Sequence, residues 1–386
     1  MALKEESTAA QESSAKVLLG LEKALWKDPE ADLIGILSSS YPQQLKSFKE
    51  ADSRPSTTPL PLPHYDIRSK LRTTDTATIV RQLSPELQDL LGHDDEQLSE
   101  AVIKLLDKSE VLYKSVWAAS CMVFRVSDGI VAKVTVEEHL TAEYRTLPYL
   151  QEHLPHFPAP RLHGVIRIRQ YGLLFTSFVS GLDLEKAWPQ LDDVQKRSVS
   201  AQLDKLLVEL RSLPFPPNTP LGGLEGLGCK DARRGIRISS KPILDVSQFD
   251  DFIFAGSKWA SPMYTQFLRS LVPTSPTKVV FTHGDIRPAN IMVRQDEEGS
   301  WTVVAIIDWE SSGFYPEHWE CVKMTNNLTP RDEDDWYLWL PESFSPRRFP
   351  VRWLIDSIWD RNMENSYMGI FFIACVESFR TSNIIS

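Results

Sequence analysis

Residues 279–310, VVFTHGDIRPANIMVRQDEEGSWTVVAIIDWE, constrain the fold more than any other stretch of this sequence. Val279, Val280 and Phe281 make a short apolar run that stops at His283-Gly284-Asp285. A second run, Ile291-Met292-Val293, follows directly on Asn290. A polar turn over 294–300 then leads to Val303-Val304-Ala305-Ile306-Ile307, which ends on Asp308. Short β-branched runs broken by Asp, Glu and Gly predict a hairpin, and its two ends bring Asp285, Asn290 and Asp308 together. One Asp at a strand end is ordinarily a turn former or a helix cap. Three oxygen acceptors at these spacings, between apolar strands, point instead to a metal and phosphate site.

Phosphoryl transfer asks little covalent chemistry of a protein. It needs a carboxylate to orient and deprotonate the attacking hydroxyl, and hard oxygen ligands to hold magnesium against nucleotide phosphates. Asp285 fits the first task; Asn290 and Asp308 fit the second. Arg287, two residues beyond Asp285, is placed to reach the transferred phosphate as a fixed positive charge.

HGDIRPAN followed by IIDWE resembles the aminoglycoside phosphotransferase and choline kinase-like superfamily, relatives of the protein kinases, and within it the large fungal phosphotransferase branch. The resemblance implies an α+β, protein-kinase-like fold of two lobes. A small β-rich N-lobe is followed by a larger, mainly helical C-lobe. It implies Asp285 as catalytic base, Asn290 and Asp308 as Mg2+ ligands, and ATP or GTP as phosphate donor.

The segment MVFRVSDGIVAKVTV, residues 122–136, carries a hairpin signal at Asp128-Gly129. Lys133 sits on its second strand among Val131, Ala132 and Val134. A lysine there either points to solvent from an edge strand or meets a partner. By resemblance it binds the α- and β-phosphates and is held by Glu143, with Glu137 and Glu138 as nearby competitors. By the same resemblance, Ser177, Phe178 and Val179 form the inter-lobe connection whose backbone meets the nucleotide base. One departure stands out: Ser115 to Ser120, where kinases place a glycine-rich phosphate loop, holds no glycine.

Elsewhere, apolar spacing predicts helices over 15–37, 85–107 and 191–212. The last is capped by Asp192 or Asp193, with Val194, Leu203, Leu206, Leu207 and Leu210 on its apolar face. Residues 51–63, rich in Pro, Ser and Thr, read as a linker. The expected division is a helical N-terminal extension over 1–110, a nucleotide-binding lobe over 111–180 and a catalytic lobe over 181–386. LGGLEGLGCKDARRG (221–235) reads as a turn region, and Trp309, Tyr315 and Trp319 as structural. Glu310 reads as an anchor behind the metal site or as a helix start. RDEDDWYLWL (331–340) is a solvated acidic helix start or, with Asp332, Glu333, Asp334, Asp335 and Trp336, a lid facing amino groups on a substrate.

A net charge of −10 and a pI near 5.4 argue against nucleic-acid binding and suit a cationic acceptor. The four cysteines are scattered and form no disulfide or zinc framework. With no signal peptide and no apolar span of membrane length, the expectation is a cytoplasmic protein without membrane contact. The sequence thus predicts a Mg2+-dependent kinase acting on a hydroxyl of an aminoglycoside-like, amino-alcohol or secondary-metabolite acceptor. Its alternatives are a nucleotide-binding pseudokinase or scaffold, favoured by the missing glycines, and a protein kinase, disfavoured by HGD for HRD and DWE for DFG. Acceptor identity and oligomeric state are left open.

Overall fold

The computed structural model describes residues 66–360 apart from 93–96, 116–120, 234–235, 258–259, 329–331 and 333, together with Val17 and Leu21. The helix expected over 15–37, apart from Val17 and Leu21, the linker over 51–63 and most of the glycine-free stretch lie outside the described residues. The chain divides into two units, Met1–His64 and Tyr65–Ser386, and all that follows concerns the second.

The small lobe runs through β1 (Ala77–Arg81), α1 (Pro85–Leu91), α2 (Leu98–Lys108), β2 (Glu110–Lys114), β3 (Cys121–Arg125), β4 (Ile130–Val136), α3 (Glu137–His153), β5 (Leu162–Ile168) and β6 (Tyr171–Ser177). Its strands form one antiparallel sheet in the order β1-β5-β6-β4-β3-β2. Both faces are covered. Leu87, Leu98, Val102 and Leu106 of α1 and α2 pack with Phe124, Ala132, Val134 and Phe175 on one face. Leu140 and Tyr144 of α3 pack with Val165 and Leu174 on the other. Successive strand residues point to opposite faces, so Lys133, between Ala132 and Val134, is directed to the α3 side.

Two expectations are corrected here. The segment 85–107 is two helices, because Gly92 ends α1 with φ +83°, a left-handed conformation that glycine adopts without strain. The small lobe also reaches further towards the N-terminus than residue 111, since β1 pairs with β5 and α1 and α2 cover the sheet. The burial of β1 lacks a clean alternation, which is why periodicity did not mark it as a strand.

The large lobe runs through β7 (Leu182–Asp183), α4 (Leu184–Ala187), α5 (Asp193–Leu210), β8 (Lys230–Asp231), β9 (Arg237–Ile238), α6 (Val246–Phe254), α7 (Pro262–Ser270), β10 (Val279–Thr282), β11 (Ile291–Gln295), β12 (Trp301–Ile306), β13 (Gly313–Pro316) and α8 (Trp319–Met324), followed by a helix over 350–360. The predicted hairpin is β11–β12, with β7 on the free edge of β11; β10 pairs separately with β13. Asp192 opens α5 with a reciprocal capping box to Gln195. Val199, Leu203, Leu207 and Leu210 form its buried stripe, while Val194 is 74% exposed, contrary to expectation. Val194 stands five residues before Val199, about 140° round a helix of 3.6 residues per turn, and so falls off the stripe.

The core of this lobe gathers Leu203 and Leu207 with Phe281, Ile291, Val293, Ile306 and Trp309, directly beneath the loops that carry Asp285 and Asp308. Leu203→Ala should therefore lower unfolding free energy by about 2–5 kcal/mol, read as a reduced urea midpoint at unchanged slope.

Candidate active site

Lys133 occupies an interior strand, between β3 and β6, which removes the solvent-facing edge reading. Its ammonium donates to Glu143 Oε2 at 2.9 Å and Asp308 Oδ1 at 2.6 Å, and Glu310 Oε2 lies 3.5 Å away. Burial would push the pKa of Lys133 down; Asp308, Glu143 and Glu310 outweigh it and hold the pKa well above the ordinary lysine value. Burial would raise Asp308, and the Lys133 charge instead keeps it below the ordinary carboxylate value. Of the competing glutamates, Glu137 turns to Arg167 at 3.5 Å. Asp308 itself has φ +68°, an unfavoured conformation for a residue with a Cβ.

The HGD loop is fastened from below by Glu320 on α8. This carboxylate is 1% exposed and accepts from the backbone amides of His283 at 2.7 Å and Gly284 at 3.2 Å. His283 is fully buried. Its Nε2 donates to the Ile307 carbonyl at 3.0 Å and its Nδ1 accepts from the Asp285 amide at 3.1 Å, an assignment that uses both ring nitrogens of the neutral form. Burial pushes its pKa down, in keeping with that form. The imidazole thus ties the strand end before Asp285 to the strand end before Asp308. Gly284 has φ +78°, and a Cβ there would lie 2.5 Å from the Ser311 carbonyl oxygen.

Asp285 and Asn290 meet across this loop. The Asn290 amide Nδ2 donates to Asp285 Oδ2 and to its main-chain carbonyl, both at 2.9 Å. That leaves the Asn290 side-chain oxygen to act as an acceptor elsewhere. Arg287 Nε lies 3.3 Å from Asp285 Oδ2, with nearly half of the arginine side chain exposed. Burial raises the pKa of Asp285, against the lowering influence of Arg287 and Lys323. Among the described residues no group of three His, Cys, Asp or Glu side chains is arranged to hold a metal. A magnesium ion bound mainly through nucleotide phosphates asks for only one or two protein oxygens.

At the connection between lobes, the Ser177 amide donates to the Arg161 carbonyl at 2.9 Å and the Phe178 amide to the Gly129 carbonyl at 2.8 Å. Among the described residues, Val179 is the one of the three whose amide has no such partner. Arg125 lies over the Phe178 ring, 4.4 Å from its centroid.

Within the acidic stretch 331–340, Asp334 and Asp335 are used differently. Asp334 accepts from the Trp336 amide at 2.8 Å. Asp335 accepts from Trp188 Nε1 at 2.7 Å, Lys196 Nζ at 2.7 Å and Trp339 Nε1 at 2.9 Å. Trp336 is buried, and Glu333 lies outside the described residues. Asp335 is thus spent on contacts within the fold, whereas Asp334 is an exposed cap, as a solvated acidic helix start would place it.

Sequence reasoning passed over four residues near the site. Lys230 donates to the Glu310 main-chain carbonyl at 3.1 Å and approaches its carboxylate at 3.5 Å. Glu320 holds the HGD loop. Asp231 accepts from Arg233 at 3.0 and 3.1 Å, within the stretch read as a turn, and from Arg237 at 2.8 Å just beyond it. Lys323 lies buried near both Asp231 and Asp285. Only alternating charge in KDARRG signalled such a network.

The sequence profile of the phosphotransferase enzyme family matches residues 109–345, more than half of the chain. The chain belongs to that family. No curated protein matches it significantly. Among solved structures, this phosphotransferase is similar to the gentamicin complex of aminoglycoside phosphotransferase APH(2")-IIa, at 11% identity and TM-score 0.43, over 71% of this chain and 86% of that one. It is similar to a thermostable mutant of APH(4)-Ia in ternary complex with AMP-PNP and hygromycin B, at 14% identity and TM-score 0.43, over 74% and 99%. It is also similar to APH(3'')-Id from Streptomyces rimosus ATCC10970 with ADP and streptomycin, at 17% identity and TM-score 0.38, over 70% and 96%. These likenesses are distant.

Within this phosphotransferase, Gly284→Ala should strain the loop and push Ser311 away. The expected loss is about 1–3 kcal/mol of unfolding free energy, measured by denaturant titration.

Proposed function

We propose that this phosphotransferase moves the γ-phosphate of ATP or GTP to a hydroxyl of a small molecule, with Mg2+ as cofactor. The observation that carries the reading is the single network in which Lys133, Glu143 and Asp308 join one side of the site and Asp285 and Asn290 the other, with His283 bonded to both loops.

In this reading Asp285 accepts a hydrogen bond from the acceptor hydroxyl and takes its proton as the oxygen attacks the γ-phosphorus. The new O–P bond forms as the bond to the β-γ bridging oxygen breaks, and the nucleoside diphosphate leaves with the bridging oxygen. Asn290 supports Asp285 through its amide and offers its carbonyl oxygen, with Asp308, to Mg2+. The bound ion would neutralise phosphate charge. Lys133, released from part of its carboxylate cluster, meets the α- and β-phosphates while Glu143 keeps it in place. Arg287, half exposed beside Asp285, meets the transferred phosphate. Val179 offers its free amide to the nucleotide base. Among the described residues no helix is long and apolar enough to cross a membrane, and a cytoplasmic location, where nucleotide and magnesium are plentiful, fits this chemistry.

Thermal unfolding tests the nucleotide half of the reading. With ATP or GTP at about 100 times its dissociation constant, wild type should gain roughly 2.7 kcal/mol, only with Mg2+ present, and Asp308→Ala should lose that gain. No response to either nucleotide at any magnesium concentration would sink the reading. Asp285→Asn tests the chemistry. Acceptor-dependent ADP or GDP release should fall about 10²–10⁴-fold while nucleotide-induced stabilisation stays.

A further inference from the structure

Glu310 is the carboxylate beside Lys133 that the mechanism above leaves without a task. Its two oxygens face two different lysines. Oε2 lies 3.5 Å from the Lys133 ammonium, and Oε1 lies 3.5 Å from that of Lys230. Asp308 and Glu143 hold Lys133 more closely, at 2.6 and 2.9 Å, so Glu310 is the loosest of its three anionic neighbours. Lys230 comes from β8 and is fixed without help from that carboxylate. Its ammonium donates to the Glu310 main-chain carbonyl at 3.1 Å, and its amide donates to the Tyr315 hydroxyl at 3.0 Å. All three side chains are largely withdrawn from water, Glu310 least so at 32% exposed. Charges in such a setting are screened less than on an open surface.

The balance of charge shows what the pair can do. Three carboxylates around one ammonium leave an excess of two negative formal charges at Lys133. Lys230 lowers that excess to one. In the proposed reaction Asp308 offers its oxygens to Mg2+ and Glu143 keeps Lys133 in place. Glu310 is then the carboxylate that competes with phosphate oxygens for the Lys133 ammonium.

We propose that Glu310 and Lys230 are a positioning pair for nucleotide binding, in which Lys230 draws the Glu310 carboxylate aside as phosphate takes its place on Lys133. Side-chain rotation suffices for the exchange. One Glu310 oxygen already faces Lys230, and the main-chain bond keeps that ammonium where it is. This deepens the proposed phosphotransfer reading and rests on it.

Affinity for ATP or GTP with Mg2+, measured by calorimetry on the full chain, tests the pair as a double-mutant cycle. Glu310→Gln removes the competitor and should tighten binding about fivefold, the upper range for a partly exposed ion pair. Lys230→Met leaves the Glu310 carboxylate to Lys133 alone and should weaken binding by about the same factor. Lys230→Arg keeps the charge and should bind as wild type does. In the double variant Lys230 has no carboxylate to draw aside, so affinity should match that of Glu310→Gln alone. The matching nucleoside, which carries no phosphate, should bind every variant equally. Two charges acting independently would instead cancel, and a double variant that binds like wild type would overturn the proposal. Glu310→Gln binding no more tightly than wild type would also overturn it. So would nucleoside affinity that falls together with nucleotide affinity, the mark of a purely structural role. Each of those results leaves the phosphotransfer reading standing, whereas absence of nucleotide binding by wild type and variants alike removes both.

Discussion

Lys133 carries its charge into a region largely closed to water, and the charge persists there because Glu143 and Asp308 reach it from separate elements. An ammonium and a carboxylate each pay a desolvation cost on burial, offset only by close and well-directed partners. Glu143 belongs to α3 in the small lobe, and Asp308 to the end of the hairpin in the large one. The contact therefore couples the two lobes electrostatically. Removing Asp308 would leave the lobes joined at this lysine only through the longer approach of Glu310.

The large-lobe half of the site is organised differently. Its polar groups are fixed chiefly through main-chain atoms. Glu320 gathers two successive amides, and His283 bridges one strand end to the other with both ring nitrogens. Apolar packing of Phe281, Ile306 and Trp309 beneath them leaves those polar atoms no alternative partner. Asp285 is thus positioned by buried residues behind its loop, while Lys133 is held by side chains from separate elements.

Much of this was legible in the sequence where chemistry and periodicity coincide. The hairpin between Asn290 and Asp308 announced itself through two apolar runs and a polar turn, and the Asp128-Gly129 turn placed Lys133 on a strand. Residues held by tertiary context were not legible. Nothing local distinguishes Glu320 or Lys323 from other charged residues on a short helix. Asp335 reads as a solvent-facing acid until Trp188 and Lys196, more than a hundred residues earlier, are brought to it. The break at Gly92 was open to local reasoning, but the apolar spacing on either side outweighed a lone glycine. Burial partners separated this widely in sequence leave no periodic trace.

The hydrogen bonds at the lobe connection have a mechanical consequence. Ser177 and Phe178 are bound to the small lobe through the Arg161 and Gly129 carbonyls. On the other side, the Ser180 carbonyl accepts from Arg294 at 3.0 Å, and Leu182 already pairs with Val293. Val179 is thereby held between two anchored flanks, while Thr146 and Pro158 on one side hydrogen-bond to Ser312 and Ile306 on the other. Backbone fixed at so many points presents the Val179 amide in one orientation, with little conformational entropy left to lose there.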